Sequence, residues 1–506
     1  MSTPRVIVRN VFSNWAAYFT SVLTSIFMTP FVVHRLGDEL YGLWVLIGQL
    51  TGYMGLLDFG VRGAVHRYIA RARALGDTGD LNRTFNTGLS ILSVIGLAAL
   101  AASVVIAYFL PTLFPAIRPE LISDAQLSVI IVGINIAIGF PTNVFSGTLT
   151  GLQRYDIANA NAIFSILLRV GLTIIALMAG YGIVTLAAVS LGVSLINHAI
   201  ALYFCLRKRP DLRVDLVLRS RETMRLIANY SLYAFILSLA VKLIFYADSV
   251  IIGVILSPAH VTLYAVGGML IEYLRRLVND MTSVFVPVAS EMEARSEFSR
   301  LQRLMILGTR FSLLITLPIG IVFILMGRSF ISLWMGERYA EVAGTVLIIL
   351  TVPQFFALAQ CTSGAILMGI SKHRFNAISA LMEAAANVTL SVILAKRIGI
   401  YGVALGTAIP LIITQTLILP TYTTRVLSLS MFRYLKEAYL PPVAAAIPFL
   451  AIVYWFEKYY TAGSLPVLLL QITAATAVYL GAAWLICFSP GQRRRYASKL
   501  LRATTV

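Results

Sequence analysis

The sequence predicts an all-α integral membrane protein of about 14 transmembrane helices. Three observations carry this. Of 506 residues, 58% are hydrophobic and only 12% charged, about half the charge of a soluble protein. Apolar runs of about 20 residues, long enough to cross a bilayer, recur along the whole chain. Lys and Arg gather in alternate connections between those runs. This composition excludes a single globular core, a disordered chain and a small disulfide scaffold.

In chain order, the expected spans are 10–33, 41–60, 85–109, 125–149, 160–180, 183–205, 227–256, 263–288, 305–327, 342–368, 375–396, 402–424, 440–456 and 466–488. The first follows Arg5 and Arg9. It is longer than a signal-peptide core and lacks a small-residue cleavage site near its end, so it reads as a spanning helix. With the N-terminus placed in the cytoplasm, the inside connections hold 28 Lys and Arg and the outside loops 7. This positive-inside bias orients the chain and, with an even helix count, places both termini in the cytoplasm. The net charge of +18 is therefore a topology signal. No basic stretch lies outside loops and chain ends, and no nucleic-acid partner is expected.

Weak internal matches sit at nearly one offset. Tyr181-Gly182-Ile183 recurs as Tyr401-Gly402-Val403, Gly151-Leu152-Gln153-Arg154 as Gly369-Ile370-Ser371-Lys372, and Leu40-Tyr41 as Leu263-Tyr264. The offset maps the first six helices onto the next six in the same orientation, a parallel repeat. The expected organisation is a six-helix lobe over 1–205, a basic cytoplasmic linker over 206–226 and a second six-helix lobe over 227–424. Two extra helices and a basic tail follow over 425–506. The linker carries Arg207, Lys208, Arg209, Arg213, Arg219, Arg221 and Arg225, a positive run suited to lie beside lipid headgroups.

Neither enzyme nor metal chemistry is signalled. Cys205, Cys361 and Cys487 are scattered, as are the five histidines, and no Gly-x4-Gly-Lys phosphate loop exists. No cofactor is expected, and no ATPase within the chain.

Polar residues inside the spans carry the site reading, because an ionisable group in hydrocarbon costs at least about 2.5–3.5 kcal/mol. Asn161, Ser165, Arg169 and Thr173 recur every fourth residue in the fifth span, and Ser379, Glu383, Asn387 and Ser391 do so in the eleventh. Each set lines one helix face, and a polar lumen between two halves would explain both. Lys242 lies near the middle of the seventh span, with Asp248 six residues later. The eighth span holds Glu272, Arg276 and Asp280 at i+4 steps, with Arg275 beside them. That set reads either as an ion-pair ladder or as cations reaching an anionic ligand. Arg169, Lys242, Arg275 and Arg276 are the candidate substrate-binding cations. Asp248, Glu383, Glu272 and Asp280 are the candidates for ion coupling. Asp58 and Arg310, near cytoplasmic ends, read as structural. Trp44, Trp334, Tyr339, Tyr459 and Tyr460 read as interface anchors.

The stretch Gly37 to Trp44 (GDELYGLW), then Gly52-Tyr53, Leu57-Asp58-Phe59-Gly60 and Arg67-Tyr68, resembles the opening of a known family. That family is the polysaccharide-transporter branch of the multidrug/oligosaccharidyl-lipid/polysaccharide flippase superfamily. Gly147-x3-Gly151-Leu-Gln-Arg154, Asp248-Ser-Val-Ile-Ile-Gly253, Leu263-Tyr-Ala265, Pro287-x-x-Ser290 and Trp334-Met-Gly-Glu-Arg-Tyr339 resemble later parts of it. The likeness covers about residues 10–425. It implies two six-helix lobes, often with two extra helices, packed as a V around a central cavity. It implies flipping of undecaprenyl-diphosphate-linked oligosaccharides, such as O-antigen or exopolysaccharide units, across the bacterial inner membrane. The implied mechanism is alternating access coupled to an H+ or Na+ gradient. The implied partners are that lipid-linked substrate, membrane lipids, and the polysaccharide polymerase and ligase of the same pathway. The candidate cations suit a diphosphate by type.

Four rivals stand beside this reading, one of them a structural scaffold without transport, against which the buried charges argue. A lipid II flippase is close in mechanism. A drug/cation antiporter shares the fold but favours acidic, aromatic lumens. A membrane glycosyltransferase or polymerase would call for a large outside loop or a surface carboxylate cluster, and the short outside loops argue against it.

Overall fold

A computed structural model describes residues 4–151, 154–372, 374–488, 490–491 and 493; the side chains of 4–12, 74, 151, 216, 229–238 and 240–245 lie outside the described ones. All regular structure among the described residues is helical. Two compact units divide between Thr262 and Leu263.

The first unit contains α1 (Pro4–Leu36), α2 (Asp38–Met54), α3 (Val61–Leu75), α4 (Thr78–Leu113), α5 (Pro119–Gly151), α6 (Tyr155–Met178), α7 (Ile183–Lys208) and α8 (Arg221–Ile255). The unit boundary falls in the first turns of α9 (Pro258–Thr282). The second unit continues with α10 (Phe285–Ala294), α11 (Phe298–Leu325), α12 (Gly327–Met335), α13 (Glu337–Ala359), α14 (Cys361–Gly369), α15 (Arg374–Ile398) and α16 (Ile400–Ile413). A π-helical turn at Thr414–Ile418 leads into α17 (Leu419–Val426). Then come α18 (Met431–Tyr434), a second π turn at Leu435–Tyr439, α19 (Leu440–Tyr459) and α20 (Leu465–Cys487).

Twelve helical stretches among the described residues are long and apolar enough to cross a membrane. The protein is thus a multi-pass membrane protein. The seventh and eighth expected spans are present as α8 and α9 but stand outside the twelve. The described apolar stretch of α8 is Tyr246–Ile255. In α9, Glu272, Arg275, Arg276 and Asp280 crowd the C-terminal half.

The connection 61–84 between the second and third expected spans holds α3. Its Ala64, Val65, Ile69 and Ala72 are buried at helical spacing, and Arg67, Arg71 and Arg73 point outward. This apolar stripe joins Leu81, Phe85 and Leu92 of α4 and Val144 and Leu149 of α5 in the core of the first unit. Phe85 and Phe145 meet edge-on there, ring centroids 5.1 Å apart.

The basic stretch 206–226 is built into the first unit. The Arg213 and Asp215 amides donate to the Asn82 and Asn86 side-chain oxygens at 2.7 and 2.9 Å. Asn86 Nδ2 donates to the Arg213 carbonyl, and the Ser220 amide to Thr87 Oγ1. With its connection pinned to α4, α8 packs on α2, α3 and α4.

Neighbour relations recur between the units. In the first, α4 packs on α5, α5 on α7 and α6 on α7; in the second, α11 packs on α13, α13 on α16 and α15 on α16. The two extra helices belong to the second unit. Tyr479 Oη of α20 donates to the Leu314 carbonyl at 2.8 Å, and its ring meets Phe449 of α19. Arg310 donates to the carbonyls of Glu437 and Cys487, satisfying groups that the second π turn and the end of α20 leave open. The structural reading of Arg310 from sequence matches this geometry.

Candidate substrate-binding cavity

A cavity of about 710 Å3 opens within the first unit, walled by α1, α2, α6, α7 and Tyr246 of α8. Its α6 wall includes Ser165, Arg169 and Thr173, three of the four residues in the predicted stripe. Arg169 is exposed on that wall. Among the described residues it has no hydrogen-bond or ion-pair partner. A guanidinium offers five N–H donors and a fixed positive charge, so this wall presents an anion-binding group in a low-dielectric setting.

Asn161, the fourth stripe residue, does not join this wall. Its Nδ2 donates to the Asn197 carbonyl at 3.0 Å, and Asn197 Nδ2 donates to Ser165 Oγ at 2.8 Å. These bonds fasten α6 to α7. They leave Asn161 beside a second cavity of about 400 Å3, lined by Asp156, Phe164 and Phe204.

The α1 wall was missed from the sequence. Ser21, Ser25 and Thr29 of α1 line it at four-residue spacing, with Thr24 beside them. The same period that marks α6 would have found them. The Thr24 and Thr29 hydroxyls donate back to the carbonyls of Thr20 and Ser25, which leaves their oxygens as acceptors. Tyr41, Trp44 and Gln49 of α2 complete the lining. Gln49 Oε1 is a buried acceptor with no hydrogen-bond partner among the described residues. Trp44 is thus a cavity residue. Trp334 (8% exposed) and Tyr339 (0%) are buried, also unlike the interface anchors expected, whereas Tyr459 and Tyr460 are exposed.

The other predicted residues divide. The side chain of Lys242 lies outside the described residues. Asp248 is 5% exposed, and its charge reaches the Tyr53 hydroxyl; the Tyr53 and Tyr246 rings are 5.8 Å apart. On α9, Glu272 pairs with Arg275 at 3.0 Å, one step earlier than the expected Arg276. Arg276 and Asp280 are exposed.

The eleventh-span stripe does not face a lumen. Ser379, Glu383, Asn387 and Ser391 are each at most 5% exposed and pack inside the α15–α16 hairpin. Asn387 Nδ2 donates to Thr407 Oγ1 at 2.9 Å, and Ser391 Oγ to the Val403 carbonyl at 3.3 Å. Gln415, on the π turn, donates to Glu383 Oε2 at 3.4 Å. Gly402 and Gly406 let the two backbones approach: a Cβ on Gly406 would lie 2.4 Å from Ser391 Oγ and 2.5 Å from the Ser391 amide nitrogen. Asn387 Oδ1 and Ser379 Oγ have no hydrogen-bond partner among the described residues. What results is a buried carboxylate that accepts from Gln415 on the π turn.

The family model for "polysaccharide biosynthesis protein" matches residues 7–293. The chain belongs to this family. Among curated relatives of this family member, the uncharacterized membrane protein EpsK of Bacillus subtilis is 24% identical over 87% of each chain. A putative O-antigen transporter of Shigella flexneri is 23% identical over 82% of this chain and 98% of its own. A probable low-salt glycan biosynthesis flippase, Agl15 of Haloferax volcanii, is 23% identical over 76% and 77%. Among solved structures, the lipid II flippase MurJ aligns over 94% of this chain and 98% of its own, with a TM-score of 0.75 at 14% identity. An inward-facing multidrug transporter of the MATE family and MOP superfamily aligns over 80% and 94%, with a TM-score of 0.65 at 16% identity. At these identities the structural likeness establishes the fold, that of MOP-superfamily transporters.

Proposed function

We propose that this protein flips a polyprenyl-diphosphate-linked oligosaccharide, of the O-antigen or exopolysaccharide kind, across the bacterial inner membrane by alternating access. The observation that carries the reading is Arg169, a cation on the wall of a hydroxyl-rich cavity within a membrane-spanning unit. A fixed guanidinium in low dielectric suits the diphosphate. The oxygens of Ser21, Ser25, Thr29 and Gln49 and the rings of Tyr41 and Trp44 suit sugar hydroxyls and sugar faces. The cavity falls within the range of about 300–1,000 Å3 typical of small-ligand sites. The family membership and the relatives named as an O-antigen transporter and a glycan flippase support the same substrate class. A cationic drug would meet repulsion at Arg169, which weighs against the antiporter reading.

Coupling falls to the second unit in this proposal. Glu383 is a buried carboxylate one helical turn from Asn387, whose Oδ1 is an acceptor without a hydrogen-bond partner among the described residues, and such oxygen ligands suit H+ or Na+. Binding there would neutralise the carboxylate and bias one conformation over the other.

The test is translocation of a polyprenyl-diphosphate oligosaccharide by the purified protein in proteoliposomes, with a cationic dye as the competing cargo. Flipping of the saccharide without dye efflux supports the proposal. Dye efflux without saccharide flipping overturns it.

A further inference from the structure

The connection between α7 and α8 is held in one shape. Four hydrogen bonds tie Arg213, Asp215 and Ser220 to Asn82, Asn86 and Thr87 of α4. Asp215 Oδ1 accepts from the Val217 amide and closes a short 3-10 turn over Leu216–Leu218. This turn presents Val217 at 85% exposure and Val214 at 53%. Arg213, Arg219, Arg221 and Arg225 surround them, all exposed. Over 206–226, seven cations face three acids. One acid, Asp211, is bound by Arg209, and another, Asp215, is turned onto its own backbone.

The level of this strap follows from α4. The tethering residues precede the apolar run that starts at Leu89 by two to seven positions, about 3–10 Å at the helical rise. The strap therefore lies at the headgroup layer. Fixed apolar side chains ringed by arginines at that depth are the chemistry of an interfacial anchor, and a solvated tether gains nothing from exposing two valines.

We propose that the strap is a docking element for anionic lipid: Val214 and Val217 enter the boundary between headgroups and acyl chains, and the surrounding arginines hold acidic headgroups. Each arginine facing the leaflet strengthens that association about fivefold.

The experiment uses the full-length protein with Val217→Cys carrying a nitroxide. It is reconstituted in vesicles of phosphatidylcholine alone and of phosphatidylcholine with phosphatidylglycerol. Labelled wild type serves as background, since Cys205 and Cys487 are buried and Cys361 is partly so. The expected result is collision with oxygen and shielding from a water-soluble nickel chelate when phosphatidylglycerol is present. The combined Arg213→Gln, Arg219→Gln, Arg221→Gln variant should weaken this roughly a hundredfold. A label equally open to the nickel chelate in both vesicles overturns the proposal, and so does a strap that inserts only when a soluble protein is added. Val217→Asp gives a second reading at an exposed position. Phosphatidylglycerol should raise the unfolding temperature of wild type but not of Val217→Asp, and an equal rise in both overturns the proposal.

Discussion

Gly147 of α5 faces the imidazole of His66 on α3 so closely that a Cβ would lie 1.9 Å from Nε2. His66 is what the glycine makes room for, which gives a physical reason for a glycine at the head of the Gly147-x3-Gly151 stretch. Gly147→Ala should destabilise the protein by about 1–3 kcal/mol, read as a lower unfolding temperature in detergent. Adding His66→Ala removes the obstructing ring. The double variant should then recover part of the loss, a coupling that two independent packing defects would not show.

The same histidine sets a pH dependence. Burial, with the Arg62 guanidinium nearby, pushes the His66 imidazole below its ordinary value of 6.5, and the Asn143 backbone opposes the shift more weakly. The folded state thus favours the neutral ring. Its contribution to stability is complete above the unfolded value and is lost as pH falls through the folded one. Unfolding temperatures at pH 7.5 and pH 5 should differ more for wild type than for His66→Gln. Equal differences would remove His66 from the account.

Substitution of Arg169 separates charge from shape. Arg169→Ala should weaken the saccharide-flipping activity about tenfold to a hundredfold, the loss expected for a hydrogen bond to a charged group. Arg169→Lys keeps the charge without the planar fork and should fall between. Flipping rates in proteoliposomes, at matched incorporation, report the order. Equal rates for all three would place the anion elsewhere.

Much of this was legible in the sequence because the bilayer imposes it. A span needs about 20 apolar residues, so the expected segments fall on helices, and twelve stretches among the described residues are long and apolar enough to cross. The α6 stripe was legible because residues four apart share a face. Period alone does not say what that face meets. The α15 stripe has the same spacing, yet it packs on α16. The distinguishing signal lay on the partner helix, where Gly402 and Gly406 four apart mark a close backbone approach. Likewise i+3 and i+4 partners are both within reach on a helix, so Arg275 and Arg276 could not be ranked for Glu272. The place of α8 with the first unit depends on side chains of α4 more than 120 residues away from the linker, which no local pattern encodes.

The hairpin gives a contrast to Gly147. A Cβ on Gly406 meets the Ser391 backbone as well as its hydroxyl, so trimming Ser391 leaves the clash. Gly406→Ala should destabilise at least as strongly as Gly147→Ala, and Ser391→Ala should not rescue it. Unfolding in detergent, with and without Ser391→Ala, decides.

Glu383→Gln tests the coupling proposal with little change of shape. A glutamine keeps an oxygen to accept from Gln415 and removes the charge that a cation would neutralise. Flipping should then lose its response to an imposed H+ or Na+ gradient while downhill movement of the saccharide persists. Gradient-dependent and gradient-free rates in the same proteoliposomes measure this. A variant that still accelerates with the gradient would show that the coupling ion binds elsewhere, with Asp248 as the next carboxylate to substitute.

Asn86 is the residue on which the strap depends most, since it accepts from the Asp215 amide and donates to the Arg213 carbonyl. Asn86→Ala removes both bonds at a total of about 1–3 kcal/mol. Proteolysis follows the population of the opened segment when reclosing outpaces cleavage. Trypsin should therefore cut at Arg213 or Arg219 roughly five to a hundredfold faster in Asn86→Ala than in wild type. Cleavage at Arg295, in the short connection between α10 and α11, should keep its wild-type rate, which separates local release of the strap from general loosening. If both sites accelerate together, Asn86 supports the whole unit and not the strap alone.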